Sequence, residues 1–296
     1  MRAEIELPKC RFYIVDVFAE RKFEGNQLAV FICEDELKRR EMQKIAKEMN
    51  YSETTFITSV ENYDVRIFTP EIELPFAGHP TIGTAFVLQQ EIIKDNIMTI
   101  HLKLKIGEIP VLFKYKSGEV EQIWIKQNPP NFTKYYASDL FSQILNLKDE
   151  DIDQRFPIQE VSTGLPFFIV PLKTIDALKR AKVDREKFDL VEKTWAKLIL
   201  IFCPETYNKG YDLSVRVFPV YGGIHEDPAT GSGNGCLAAY LSKYQYFGKS
   251  NVDIKVQQGH EVGRPSVLLL RAKETDGEIS VSVGGKAFII AKGELT

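Results

Sequence analysis

The chain has little of what would place it in a membrane, on a nucleic acid or around a metal. No apolar run reaches the roughly 20 residues that a helix needs to cross a bilayer. The net charge is only −3. The longest basic cluster, "LKRREMQKIAKEM", is interleaved with acids at helical spacing, the mark of a solvated helix face. Neither nucleic acid nor membrane is therefore an expected partner. The N-terminal segment scatters charges and lacks a long apolar core, so no secretory signal is predicted. The four cysteines, Cys10, Cys33, Cys203 and Cys236, show no paired spacing. Reduced thiols and a cytoplasmic location are the expectation. The histidines His79, His101, His225 and His260 form no H-x-x-x-H or other ligand spacing. No metal is expected.

What is present is an ordinary globular composition: 44% apolar and 27% charged residues over 296 positions, enough for one large domain or two of usual size. "RFYIVDVFAE" and "NQLAVFIC" read as strands around a turn at Gly25. In "EDELKRREMQKIAKEMN", Leu37, Met42, Ile45, Ala46 and Met49 fit a helical period, with Asn50 as a stop. "SETTFITS" and "YDVRIFTP" return to strand character. After Pro80 a helix is predicted, its apolar face running through Ile82, Ala85, Phe86 and Leu88. Antiparallel meanders follow, and "NPPNF" at 128–132 is the best linker.

Beyond that linker the chain resembles itself. "GNQLAVF" from Gly25 matches "GLPFFIV" from Gly164, and "VRIFTP" with Arg66 matches "VRVFPV" with Arg216. Each arginine strand leads through an acid-containing loop to a glycine and a polar residue at a helix start: Gly78–His79, then Gly231–Ser232. Two related domains are the natural reading.

The chemistry concentrates there. A helix N-terminus offers unpaired N–H groups and partial positive charge, and glycine lets an anion approach. "HEDPATGSGNG" lacks the Gly-Lys-Ser/Thr of a phosphate loop and the G-x-G-x-x-G of a dinucleotide site. Alone it reads as a structural turn; paired with "AGHPTIG" it reads as half of a carboxylate clamp. Glu53, among hydroxyls and Phe56, becomes a usable proton shuttle if partly desolvated, although a turn glutamate is the blander reading. Asp227 before Pro228 has the same bland alternative, a turn initiator. His79 at a helix start is expected to be neutral, because the dipole disfavours an added proton. His101 alternates with lysines and reads as solvated.

The segments "DVFAERKFEGNQLAVF", "SETTFI", "RIFTPEIELPFAGHPTIGTAF", "STGLPF", "VRVFPVYGGIHEDPATGSGNGCLAAYL", "QGHEVGRPS" and "VGGKAFIIAKGEL" occur in the order of the phenazine-biosynthesis PhzF-like family, which the chain resembles over nearly its whole length. The resemblance implies a diaminopimelate epimerase-like α+β fold. Two pseudo-symmetric domains would each wrap a curved, mostly antiparallel sheet around a central helix. Domain boundaries of 1–128 and 129–284 are expected, with a last strand at 285–296 returning to the first domain. It implies a homodimer and a small carboxylate-containing substrate in the interdomain cleft, with no cofactor. It makes Glu53 the acid/base, with His79 and Asp227 as further catalytic residues. Asn26, Gly78, Gly231, Ser232 and Arg264 become substrate contacts. The related amino-acid epimerases carry paired cysteines at the two helix starts; here those positions are Ala77 and Thr230. Proton movement then falls to Glu53, in an isomerase. An epimerase without the thiol pair and a non-catalytic binding protein are the alternatives.

Overall fold

The computed structural model describes residues 9–191, 195–220 and 226–295. His225 and the rest of 221–225 lie outside the described residues. The chain divides into two compact units, passing from the first to the second between Ile125 and Lys126 and returning between Gly284 and Gly285.

The first unit contains β1 (Cys10–Val17), β2 (Asn26–Cys33), β3 (Glu53–Ser59), β4 (Asp64–Phe68), β5 (Glu73–Leu74), β6 (Thr99–Leu104), β7 (Gly107–Lys116) and β8 (Glu119–Lys126). The last strand of the chain, β17 (Ala287–Leu295), also belongs to it. Pairings give the order β17-β1-β2-β3-β4-β6-β7-β8, antiparallel except at β2–β3 and β4–β6, with the short β5 also on β4. β6 shows the underlying logic. Ile100, Leu102 and Leu104 point inward while His101 and Lys103 face water, the period of two that one buried face imposes. Helix α1 (Arg39–Met49) lies outside on β3 and β4, packing Met42, Ile45 and Ala46 against Phe31, Phe56 and Phe68. It stops at Asn50, which takes the left-handed conformation (φ 53°) and donates its N–H to Ala46. Helix α2 (Gly78–Val87) is buried at every residue and packs against β1, β2, β3, β6, β7 and β17. It has no polar face because it has no solvent to meet.

The second unit repeats this plan with β9 (Asn131–Tyr136), β10 (Ile158–Ser162), β11 (Pro166–Pro171), β12 (Leu198–Cys203), β13 (Leu213–Pro219), β14 (Val252–Gln258), β15 (Ser266–Thr275) and β16 (Glu278–Gly285). Its order is β9 through β16 in sequence, antiparallel except at β11–β12 and β13–β14. The parallel pairs fall at the same two places in both units. Outside lie α3 (Ser138–Ile144), α4 (Ile175–Arg180) and α5 (Arg185–Phe188), over a core built around Phe141, Phe168 and Phe188. Inside lies α6 (Gly231–Lys243), against β10, β11, β14 and β15.

One expectation fails here. Cys10 and Cys33 are joined in a disulfide, with Cα atoms 4.0 Å apart, so the thiols are not all reduced. Spacing gave no sign of it because strand register makes the pair: Cys10 stands directly opposite Cys33 in the antiparallel β1–β2 ladder. Cys203 and Cys236 are free and buried.

The helices sit close to their sheets. A Cβ at Gly83 would lie 2.5 Å from Leu28 Cδ2 and 2.8 Å from Val17 Cγ2. Gly83→Ala should therefore destabilise the protein by about 1–3 kcal/mol through overpacking. Denaturant unfolding with a probe in the first unit measures this, and an unchanged midpoint would contradict the packing described.

Candidate active site

In the first unit the chemistry gathers where α2 begins. Asn26 opens β2 and is 2% exposed. Glu53 opens β3, directly across the parallel ladder from Leu28. His79 is the second residue of α2 and is buried. Its Nε2 lies 3.4 Å from Glu53 Oε2. Burial holds the imidazole far below its ordinary range, at about 3, against a smaller opposite pull from a hydrogen bond to the Gln27 carbonyl. Nε2 makes no hydrogen bond, so it is Nδ1–H that donates to Gln27. The ring is therefore neutral, with its lone pair on Nε2 turned toward the glutamate. The neutrality expected from the sequence holds, but its main cause is burial and not the helix dipole. No side chain caps α2: the N-cap residue is Ala77, which has no polar side-chain atom to bond the backbone N–H groups of the first turn.

In the second unit the loop before α6 is tightly bonded. Asp227 Oδ2 accepts from Thr230 Oγ1 at 2.5 Å. Thr230 is the N-cap of α6, yet its hydroxyl does not cap the helix; it is committed to Asp227. Gln258 pins the loop from the end of β14. Its Nε2 donates to the Asp227 carbonyl (2.8 Å) and to Thr230 Oγ1 (3.0 Å), while its Oε1 accepts from Thr230 N–H and from Asn234 Nδ2. Gly231 is buried and Ser232 half-buried in the uncapped first turn. Arg264 closes a turn by donating its backbone N–H to Gly259. Gly259 (φ +78°) comes so near the loop that a Cβ there would lie 2.5 Å from the Pro228 carbonyl oxygen.

The structure thus groups Asn26, Glu53, Gly78 and His79 in one unit and Asp227, Gly231, Ser232 and the Arg264 turn in the other. The open depressions beside Arg66 and Glu73 (about 640 Å³) and beside Pro129 and Pro130 (about 840 Å³) contain none of these residues. His260 lies within the Arg264 turn, with its ring stacked on Tyr207 at 3.9 Å. Gln258 was missed in the sequence, although a signal existed. Val252, Ile254 and Val256 define the inward face of β14, and Gln258 is the next residue on that face. Both free thiols are held protonated by burial, pushed up to about 12.

The profile of the family described as phenazine biosynthesis-like protein matches residues 15–293. The trans-2,3-dihydro-3-hydroxyanthranilate isomerase of Pseudomonas aeruginosa is 32% identical over 291 residues, covering 96% of this chain and 98% of that protein. The crystal structure of a phenazine biosynthesis protein of the PhzF family from Bacillus anthracis is similar at TM-score 0.88 and 26% identity, covering 98% and 100% of the two chains. A hydroxyproline epimerase from Agrobacterium vitis shares the fold at TM-score 0.60 and 8% identity, over 97% and 92% of the chains. The expected α+β, epimerase-like fold is the observed one.

The neutral, buried His79 has a consequence for stability. Unfolding restores an ordinary imidazole near pH 6.5. Between about 6.5 and 3 the unfolded chain then binds a proton that the folded chain refuses. Stability falls as pH drops through that window, by on the order of 1.4 kcal/mol per pH unit. In an NMR titration the His79 ring should keep its neutral-form shifts from about pH 8 to about pH 5. A midpoint near 6.5 would contradict the burial argument.

Proposed function

This chain belongs to the phenazine biosynthesis-like, or PhzF, family of isomerases, and on that footing we propose that it shifts a proton between two carbons of a small unsaturated carboxylic acid, with Glu53 as acid and base. The observation that carries this reading is the approach of a neutral His79 Nε2 to Glu53 Oε2 at 3.4 Å. As a carboxylate, Glu53 takes a proton from a substrate carbon. The carboxyl holds that proton while the neutral His79 beside Oε2 carries no charge that would fix Glu53 as a carboxylate, and then returns it to another carbon. The electron pair left on the substrate spreads through its conjugated system onto the carboxylate. That group is bound by the backbone N–H groups of an uncapped helix start, Gly78 beside His79, whose partial positive charge favours the growing negative charge.

Asn26, Ser232 and Arg264 are the further substrate contacts in this reading. Asp227, held by Thr230 and Gln258, accepts a hydrogen bond from a donor on the substrate. A two-thiol epimerase mechanism has no support among the described residues. The N-cap positions are Ala77 and Thr230, and the free thiols are buried and protonated.

Trans-2,3-dihydro-3-hydroxyanthranilate, from which the Pseudomonas aeruginosa isomerase takes its name, is the first substrate to try. Glu53→Gln should lower kcat by at least about 10²-fold while leaving the melting temperature and the affinity for the compound near wild type. A variant that turns over at the wild-type rate would remove Glu53 from the mechanism.

A further inference from the structure

The two units share a device that the reaction itself does not use. Arg66 on β4 and Arg216 on β13 occupy the same place in the repeated strand order, each two residues before a phenylalanine. Each guanidinium lies over that ring, 5.3 Å above Phe68 and 4.8 Å above Phe218. Each also bonds a glutamate in the segment that follows. Arg66 Nε donates to Glu73 Oε1 at 2.9 Å. Arg216 forks onto Glu226 through Nε (3.0 Å) and Nη2 (2.8 Å). The glutamates are equivalent by register, since Glu73 stands opposite Phe68, while Asp227, the residue after Glu226, stands opposite Val217. From each glutamate the chain runs E-L-P-F-A-G or E-D-P-A-T-G, so the helix-opening glycine comes five residues later in both units.

These pairs are anchored at their far ends too. Glu73 takes a second arginine, Arg39 Nε at 2.8 Å, from the first residue of α1. Its carboxyl is held below the usual range, chiefly by the Arg66 hydrogen bond. Arg216 Nη1 donates to the carbonyls of Leu178 (2.8 Å) and Ala181 (2.9 Å) at the end of α4. Side-chain exposure is 8% for Arg216 and 7% for Glu226, against 31% for Arg66 and 8% for Glu73, so the pair in the second unit is the better shielded from water. Each arginine therefore ties an outer helix, a central strand and the loop that delivers an inner helix to its first glycine.

We propose that Arg66 and Arg216 are positioning residues. Each locks its glutamate and so fixes the six-residue segment that delivers an uncapped helix N-terminus within its own unit. The use of those N-termini rests on the function proposed above; the locking of the segments does not.

The test combines amide hydrogen exchange of the unliganded protein with kinetics on trans-2,3-dihydro-3-hydroxyanthranilate. In Arg66→Met, exchange at 74–81 should quicken at least about tenfold; in Arg216→Met, the same should occur at 227–234, with β15 unchanged in both. KM should rise at least about tenfold with kcat within about threefold, the signature of lost binding and the reverse of Glu53→Gln. A merely structural role is separated by Arg216→Met/Glu226→Met, in which neither partner of the close pair is left alone and only the longer approach of Glu261 Oε2 to Arg216 Nε (3.8 Å) is lost. Its melting temperature should recover toward wild type while KM and loop exchange stay raised. If KM recovers along with stability, or if exchange at both segments matches wild type, the proposal is overturned. Should Arg216→Met not fold, the less buried Arg66→Met carries the same comparison. If the wild-type enzyme does not act on the compound, the substrate reading fails, and the exchange data still decide the latch.

Discussion

The approach of His79 Nε2 to Glu53 Oε2 is the contact on which the rest of this structure converges. It requires β3 to run parallel to β2 so that Glu53 falls beside Leu28. It requires α2 to begin at Gly78, so that His79 lies in the first turn and reaches the Gln27 carbonyl. It also requires the surrounding sheet to exclude water, because a solvated imidazole takes up a proton below about pH 6.5 and then ceases to be an acceptor. Fold and chemistry are thus linked through one nitrogen lone pair. The buried helix is the means of keeping that lone pair dry.

The two units share a frame, and they differ at the candidate site residues. The two units agree in strand order, in the places of their parallel pairs and in the arginine–glutamate latch. They disagree at the positions that matter chemically. Where Glu53 pairs with Leu28, the second unit pairs Leu198 with Phe167. Where the second unit has Asp227 after its latch glutamate, the first has Leu74; where the first has His79, the second has Ser232. One half has the Glu53–His79 pair and the other a fixed hydrogen-bonding loop. A single base fits a proton shift better than a two-base inversion.

Much of this was legible in the chain. Local patterns carried the strands, α1 with its Asn50 stop, and the two glycine helix starts, since each depends on residues near one another in sequence. The repeat of Arg66 and Arg216 was visible, and the matching E-x-P-x-x-G runs were there to be read beside it. What was not legible depends on register and burial. The Cys10–Cys33 disulfide follows from the pairing of two strands, which spacing does not encode. The grip of Gln258 on the loop before α6 needs β14 and that loop to be brought together. The neutrality of His79 was expected from the helix dipole, a local effect; its stronger cause, desolvation, appears only when the sheet closes around α2.

The central claim is that one carboxyl group, Glu53, both removes and returns the proton. A substrate carrying deuterium at the carbon that loses it tests this most directly. With trans-2,3-dihydro-3-hydroxyanthranilate so labelled and turned over in ordinary water, the account predicts that part of the deuterium appears in the product at a different carbon, on the same face. Complete loss of the label to solvent, or its replacement at the original carbon with inversion, would contradict it.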